Sequence, residues 1–171
     1  MKIGLLGGSF NPAHSGHLHI SKIALAKLGL TQLWWLVSPQ NPLKSTDDMM
    51  DFTLRYDHAL AIANHPKIKV SAIEAEFQTQ YTADTIARLR QKDPRYKFVW
   101  IMGADNLIQL PQWKKWEEIC QQVPIHVFDR DEYFFKAMAG KAIAKHGDKI
   151  TYHIIRKNPL SSTEIRKGLQ R

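Results

Sequence analysis

Two histidines, three residues apart, follow the first apolar segment of the chain. The run Gly7-Gly8-Ser9-Phe10-Asn11-Pro12 leads into His14 and His17. Adjacent glycines permit positive φ and leave no Cβ to hold a ligand away, so backbone N–H groups can approach phosphate oxygens. Imidazoles at i and i+3 share one helix face, and the open N–H groups of a helix start attract anions. The pattern predicts a phosphate site with two histidine donors.

The same residues admit other interpretations. A Gly-Gly pair after a strand is commonly a plain turn, and two histidines could be solvated or form part of a metal site. No third ligand stands at a diagnostic spacing, so we predict that the protein itself holds no metal. The segment also lacks the Lys-Ser/Thr end of a Walker loop and the G-x-G-x-x-G of a dinucleotide fold. A phosphate site built on histidines is the hypothesis we keep.

The elements that must position these residues alternate between short apolar runs and helical patterns. The predicted strands cover residues 2–6, 33–37, 68–71, 98–102, 125–128 and 150–155. The predicted helices cover residues 16–28, 52–63, 82–92, 112–121, 133–145 and 161–170. Apolar strands between helices favour an α/β fold, a parallel sheet covered on both faces, as a single domain over residues 1–171. Ligands bind such sheets outside the carboxyl ends of the strands.

Composition narrows the class of partner. Among 171 residues, 24 Lys+Arg exceed 16 Asp+Glu, which gives a formal charge of +8 and favours an anionic partner. A single cysteine, Cys120, rules out an intramolecular disulfide and a multi-cysteine metal site. No apolar run approaches the ~18 residues of a membrane span, and the Gly-broken start does not fit a signal peptide. We therefore expect a soluble, cytoplasmic protein.

The segment His14-Ser15-Gly16-His17 resembles the H-x-G-H signature of the nucleotidyltransferase superfamily. That resemblance implies a Rossmann-like, doubly wound parallel sheet. The signature alone also admits phosphopantetheine adenylyltransferases, cytidylyltransferases and, more distantly, class I aminoacyl-tRNA synthetases.

Four later segments narrow the resemblance, at residues 38–44, 80–85, 103–113 and 161–166. In this order, and over residues 2 to about 166, they resemble bacterial nicotinate-nucleotide adenylyltransferases. The resemblance implies transfer of the adenylyl group of ATP to nicotinate mononucleotide, which gives deamido-NAD and pyrophosphate in NAD biosynthesis. It implies ATP and nicotinate mononucleotide as partners and Mg²⁺ carried with ATP. The resemblance leaves open whether the protein forms a homo-oligomer.

The resemblance also assigns roles to residues. Charge neutralisation and alignment of the reacting phosphates fall to His14, His17, Lys44 and Arg166. The implied ATP contacts are Gly7, Gly8, Ser9, Phe10, His14, His17, Gly103, Asp105, Ser161, Ser162, Thr163 and Arg166. The implied nicotinate-mononucleotide contacts are Lys44, Tyr81, Thr82, Trp113 and Arg130. Arg55 is a further candidate, with a plain surface position as the alternative.

Several of these positions have a purely structural alternative. Ser161 with Glu164 forms a capping-box pattern that would simply start a helix. Thr82 fits an N-cap, Asp105 could cap the helix after the fourth strand, and Trp113 could be a core residue.

One segment departs from the family pattern. Where many members have Arg-Pro-Gly after the fifth strand, this chain has Arg130-Asp131-Glu132, which changes the turn chemistry. The conformation of residues 130–147 therefore stays open.

Two other classes of function compete with this hypothesis. One is a related adenylyltransferase acting on the amide mononucleotide or on phosphopantetheine. The other is a nucleic-acid-binding module, although the basic residues are dispersed and no RNA-binding aromatic motif is present. We predict no nucleic-acid or membrane partner.

Overall fold

The protein is described by a computed structural model that covers residues 1–39, 49–129 and 133–155. Within these residues six strands form one sheet in the order β3-β2-β1-β4-β5-β6. The strands are β1 (Lys2–Gly8), β2 (Gln32–Val37), β3 (Ile68–Ser71), β4 (Lys97–Gly103), β5 (Ile125–Asp129) and β6 (Ile150–Ile154). Every neighbouring pair is parallel. The strand order reverses between β1 and β4, and ligands bind at such a switch point in open α/β sheets.

Helices connect the strands and cover the sheet. They are α1 (Ser15–Lys27), α2 (Phe52–Ile62), α3 (Ile73–Phe77), α4 (Thr82–Lys92), α5 (Ala104–Gln109), α6 (Trp116–Gln122), α7 (Phe134–Met138) and α8 (Lys141–His146). Short 3₁₀ turns lie at Leu110–Gln112 and Gly147–Lys149. None of the helices in the described ranges is both long and apolar enough to cross a membrane.

Two apolar layers hold the sheet between the helices. Because successive strand residues point to opposite faces, Leu5 packs in one layer and Leu6 in the other. The first layer includes residues of α4, α5 and α6 around Trp100. The second includes residues of α1 and α2 around Trp35. The α/β fold predicted from the apolar runs and the doubly wound sheet implied by the resemblance are both confirmed.

The structure corrects several predicted boundaries. The first strand runs on through both glycines to Gly8, and the predicted helix over 112–121 begins only at Trp116. Lys115, just before it, has left-handed backbone (φ 57°), which a continuous helix does not allow. The predicted helix over 133–145 is two short helices, because α7 ends at Met138 and a new start follows Gly140. The predicted helix over 161–170 lies outside the described residues.

Candidate active site at the carboxyl edge of the sheet

The glycine pair extends β1 instead of beginning the loop, so the prediction that the strand ends at Leu6 is wrong. Gly7 and Gly8 pair with Leu36 and Val37 of β2. Gly7 is required for a different reason, since a Cβ there would lie 2.5 Å from Cη2 of Trp100. The missing side chain at Gly7 therefore leaves room for the Trp100 ring, and the turn begins after Gly8.

The turn after β1 depends on Phe10, which has left-handed backbone (φ 46°) although it is not a glycine. Such a conformation costs a bulky residue about 1–3 kcal/mol and persists only where its surroundings hold it. The Phe10 side chain is 2% exposed. Its ring stacks on Trp35 at 5.1 Å and packs tilted against His17 at 4.8 Å between centroids. Packing of this one ring holds the turn beneath His17.

The two histidines come together as predicted, with ring centroids 3.9 Å apart. His14 is not on the helix face, however, because it is the extended N-cap residue of α1. Its Nδ1 accepts from Gly16 N–H at 3.1 Å, while Nδ1 of His17 accepts from His14 N–H at 3.2 Å. This is a capping box in which imidazoles replace the usual hydroxyl and carboxylate. The expectation of an uncapped helix start is therefore wrong at Gly16.

The capping box fixes how both imidazoles present their hydrogens. Each Nδ1 is an acceptor for a backbone N–H, so the neutral ring carries its hydrogen on Nε2. His14 is buried and His17 is half-buried, which limits the orientations that the rings can adopt. The site therefore presents two oriented N–H donors side by side, an arrangement suited to phosphate oxygens.

Arg55 is almost fully buried, at 1% exposed, so the alternative of a surface position is wrong. Its guanidinium donates to backbone carbonyls at the ends of β1 and β2 and before α2. Sequence reasoning placed it among the candidates without this role. The only sequence signal for this buried role is that Arg55 occupies a helix position otherwise suited to an apolar side chain.

Glu74 is a buried acid that sequence reasoning missed. It lies on α3, is 7% exposed, and burial raises its pKa to about 7. Hydrogen bonds from Ser38 and Thr85 lower the pKa and offset part of that rise. Thr85 also shares a 2.7 Å hydrogen bond with Thr79. Glu74 therefore joins the end of β2 to α4.

Helix α4 begins one residue earlier than the N-cap prediction required. Tyr81 is its extended N-cap and Thr82 its first helical residue, so the prediction of Thr82 as N-cap is wrong. The Tyr81 carbonyl accepts from the N–H groups of Asp84 and Thr85, and no side chain caps the start. The Lys114 ammonium lies 4.6 Å from the Tyr81 ring centroid. After Glu74, Lys114 is the second residue beside the site that the sequence did not predict.

Trp113 is half-buried and lies in the loop between Leu110–Gln112 and α6, not inside a helix. Its ring meets Trp100 edge to face, with centroids 6.4 Å apart and planes at 90°. One face of the core thus supports Trp113 while part of its surface stays accessible.

Gly103 and Asp105 lie at the carboxyl end of β4. Gly103 is the N-cap of α5, so the alternative of Asp105 as the cap is wrong. Asp105 is exposed, and its Oδ1 occupies the space that a Cβ on Gly103 would need, at 2.5 Å. The glycine allows the carboxylate to fold back over the strand end.

The remaining predicted site residues lie outside the described residues: Lys44, Arg130, Ser161, Ser162, Thr163 and Arg166. In the described part of the chain, no three His, Cys, Asp or Glu side chains are placed to hold a metal ion.

Comparison with known proteins identifies the family. The sequence model of the cytidylyltransferase-like family matches residues 5–168. A Parvibaculum lavamentivorans protein named "probable nicotinate-nucleotide adenylyltransferase" is 54% identical over 142 residues, which cover 83% of this chain and 71% of that protein. A Bradyrhizobium sp. (strain ORS 278) protein of the same name is 48% identical over 149 residues, which cover 85% of this chain and 78% of the other.

A solved structure supports the fold. The Plasmodium falciparum nicotinic acid mononucleotide adenylyltransferase complexed with NaAD aligns with a TM-score of 0.78 over 97% of this chain and 82% of that one. At 22% identity, this likeness shows a common fold. The family model and the two relatives above confirm the family resemblance stated from the motifs. The chain belongs to the cytidylyltransferase-like family, and within it to the nicotinate-nucleotide adenylyltransferases.

Proposed function

We propose that this protein transfers the adenylyl group of ATP to nicotinate mononucleotide, giving deamido-NAD and pyrophosphate in NAD biosynthesis. The observation that carries the proposal is the capping box of His14 and His17, which holds the two rings side by side as Nε2–H donors where the chain leaves β1 beside the switch point. The names of the relatives at 54% and 48% identity support the choice of substrates.

The reaction depends more on alignment of the reacting phosphates than on a general base. A phosphate oxygen of nicotinate mononucleotide attacks the α-phosphorus of ATP in line, the bond from that phosphorus to the β-phosphate oxygen breaks, and pyrophosphate leaves. The nucleophile is already an anion at neutral pH, so no proton must be removed. What opposes the step is the approach of two polyanions, which positioned donors and cations relieve.

The histidine pair supplies donors that are already oriented. An imidazole held through Nδ1 to the backbone does not have to reorient when a phosphate arrives, so its Nε2–H is placed in advance. Each hydrogen bond to a charged oxygen is worth about 1.5–3 kcal/mol. We assign to these bonds the stabilisation of charge on the transferring phosphate. Lys44 and Arg166 stay the predicted cationic partners.

The nucleotide itself is proposed to bring the metal ion. Mg²⁺ bound to ATP phosphates, with substrate oxygens and water as its other ligands, would lower the charge of the leaving pyrophosphate. The residues proposed to surround the phosphates are hydrogen-bond donors and cations. Such groups suit a triphosphate that already carries its metal ion.

The pyridine ring is proposed to bind at the opposite end of the site. Trp113 offers a partly exposed aromatic surface supported by Trp100, suited to stacking. The uncapped start of α4 at Thr82 suits the nicotinate carboxylate, because the first N–H groups of a helix attract anions. Gly103 and Asp105 are proposed to meet the adenosine ribose. Tyr81 and Arg130 stay predicted contacts.

A pyrophosphate-release assay with MgATP and nicotinate mononucleotide tests this function. We expect turnover with the nicotinate substrate to exceed turnover with nicotinamide mononucleotide or phosphopantetheine. Preference for either alternative would transfer the assignment to another adenylyltransferase of the fold. No turnover with any of them, together with an RNA mobility shift that ATP does not compete away, would favour the nucleic-acid-binding alternative.

A further inference from the structure

Arg55 connects parts of the chain that are far apart in sequence. Its Nη1 donates to the carbonyls of Ser9 at 2.6 Å and Ser38 at 2.8 Å. Its Nη2 donates to the Pro39 carbonyl at 2.8 Å, and its Nε to the Met50 carbonyl at 2.9 Å. All three guanidinium nitrogens are therefore bound to backbone oxygens inside the protein.

These carbonyls belong to the two segments that leave the sheet at its carboxyl edge. Ser9 follows β1 and begins the turn to the histidine pair, whereas Ser38 and Pro39 follow β2. Backbone groups buried in turns need donors, which a strand ladder no longer supplies there. One side chain thus satisfies both segments at once and sets the distance between them.

Arg55 stays charged although its hydrogen-bond partners are neutral backbone carbonyls. Burial lowers the pKa of Arg55 and the charge of Asp51 raises it, but a guanidinium stays protonated in proteins. It is absent from the ion pairs found among the described residues. Its fork geometry, with several donors in one plane, explains why arginine and not lysine suits this position.

The Ser9 bond acts on the histidine pair through Phe10. Ser9 precedes Phe10, whose left-handed backbone needs support and whose ring packs against His17. A second tie joins the same parts, because Met50 N–H donates to Asn11 Oδ1 at 3.0 Å. Release of the Ser9 carbonyl would therefore let Phe10 relax and remove the packing beneath His17.

We propose that Arg55 is a positioning residue, which fixes Ser9 after β1 relative to Ser38 and Pro39 after β2 and so sets the spacing of the two substrates. It acts through the backbone of Ser9, Ser38 and Pro39 and not by touching substrate. The inference rests on the proposed function, in which these loops hold ATP and nicotinate mononucleotide.

The test compares Arg55→Lys and Arg55→Met with Arg90→Met, which removes an exposed arginine from α4. Lysine keeps the charge but has one donor atom, so it cannot reach carbonyls of both loops in the same geometry. We expect the KM for ATP and the KM for nicotinate mononucleotide to rise together in Arg55→Lys, each by about tenfold. Arg55→Met should exceed that change, and Arg90→Met should match wild type.

A role in folding alone predicts a different outcome. It would lower the unfolding temperature and the active fraction of Arg55→Lys while both KM values stayed at wild-type levels, and that result would overturn the inference. A rise in only one KM would also overturn it, because the bonds tie both loops.

Amide hydrogen exchange provides a readout without substrate. In folded Arg55→Lys we expect faster exchange in peptides that contain Phe10 and Ser38, by about tenfold, with no change around Ile86 in α4. Unchanged exchange in both loops would contradict the inference even if the protein proved inactive. Absence of wild-type pyrophosphate release, by contrast, would contradict only the proposed function.

Discussion

The two ends of the candidate site are built differently. At one end lies the histidine loop, residues 9–17, where Ser9, Phe10 and His14 are each less than 10% exposed. Capping-box bonds and the Arg55 guanidinium hold it. At the other lies the proposed pyridine end, Tyr81, Thr82 and Trp113, which is half-buried and whose helix start has no side-chain cap.

This difference separates two tasks. Phosphates that repel each other must be aligned to within a fraction of an ångström, so groups fixed before binding lower the barrier most. Recognition of a flat ring tolerates small adjustments, since stacking energy varies gently with position. Rigidity is therefore concentrated where the proposed chemistry occurs, and the recognition end is left accessible.

Replacing a histidine should have the largest effect and is the strongest test of the difference between the two ends. In His17→Ala we expect kcat to fall by about 10²–10³, because an oriented donor to the transition-state charge is lost. KM for ATP should change little, since most nucleotide contacts remain. Steady-state kinetics with both substrates varied measures this, with His58→Ala on the exposed face of α2 as the control. Turnover near the wild-type value would remove the histidine pair from the mechanism.

Glu74 lies between the two ends, where its hydrogen bonds join Ser38 to Thr85, and its buried proton makes a measurable contribution to stability. The folded-state pKa of about 7 exceeds the ordinary value of 4.5. The folded state therefore keeps a proton that the unfolded chain releases, and stability present below pH 4.5 is lost as the pH rises through 7. The full loss is about 3 kcal/mol. Glu74→Gln, which stays neutral, should flatten the free energy of unfolding over this range.

Denaturant unfolding at several pH values measures the Glu74 effect. Glu76→Gln is the matched control, because Glu76 is an exposed acid on the same helix. Its stability should follow the wild-type pH dependence. If Glu74→Gln showed the wild-type slope between pH 5 and pH 8, Glu74 would not carry the buried proton.

The pyridine end should respond more weakly. Trp113→Ala removes the aromatic surface, and we expect KM for nicotinate mononucleotide to rise by about tenfold while kcat and KM for ATP change little. Trp113→Phe, which keeps a ring, should recover most of the affinity. A change in kcat as large as that of His17→Ala would mean that both ends are equally rigid.

Most of the fold was predictable because buried parallel strands are continuous apolar runs. The segments 33–37 and 98–102 are such runs, and both are strands with nearly the predicted bounds. The five-residue α3 and the six-residue α5 were missed, since one turn of helix carries too little periodicity to detect. The left-handed Lys115 was missed because no Gly or Asn marks it.

The site was predictable in its residue types but not in its internal bonds. Spacing placed His14 beside His17, yet it could not show that each ring caps the backbone at the start of α1. Arg55 is separated from Ser9 by 46 positions. No local pattern reports a contact that depends on how β1, β2 and α2 pack together.

The smallest expected effect concerns the ion pair beside the pyridine end. Lys115 Nζ lies 2.7 Å from Asp84 Oδ1, but the side chains are 41% and 36% exposed. Solvent-exposed pairs of this kind contribute little, because water and salt screen them. Lys115→Met should leave the unfolding temperature and its salt dependence unchanged, as measured by thermal unfolding at low and high ionic strength. A clear loss at low salt alone would show that this pair fixes the start of α4, and the pyridine end would then be as preorganised as the histidine loop.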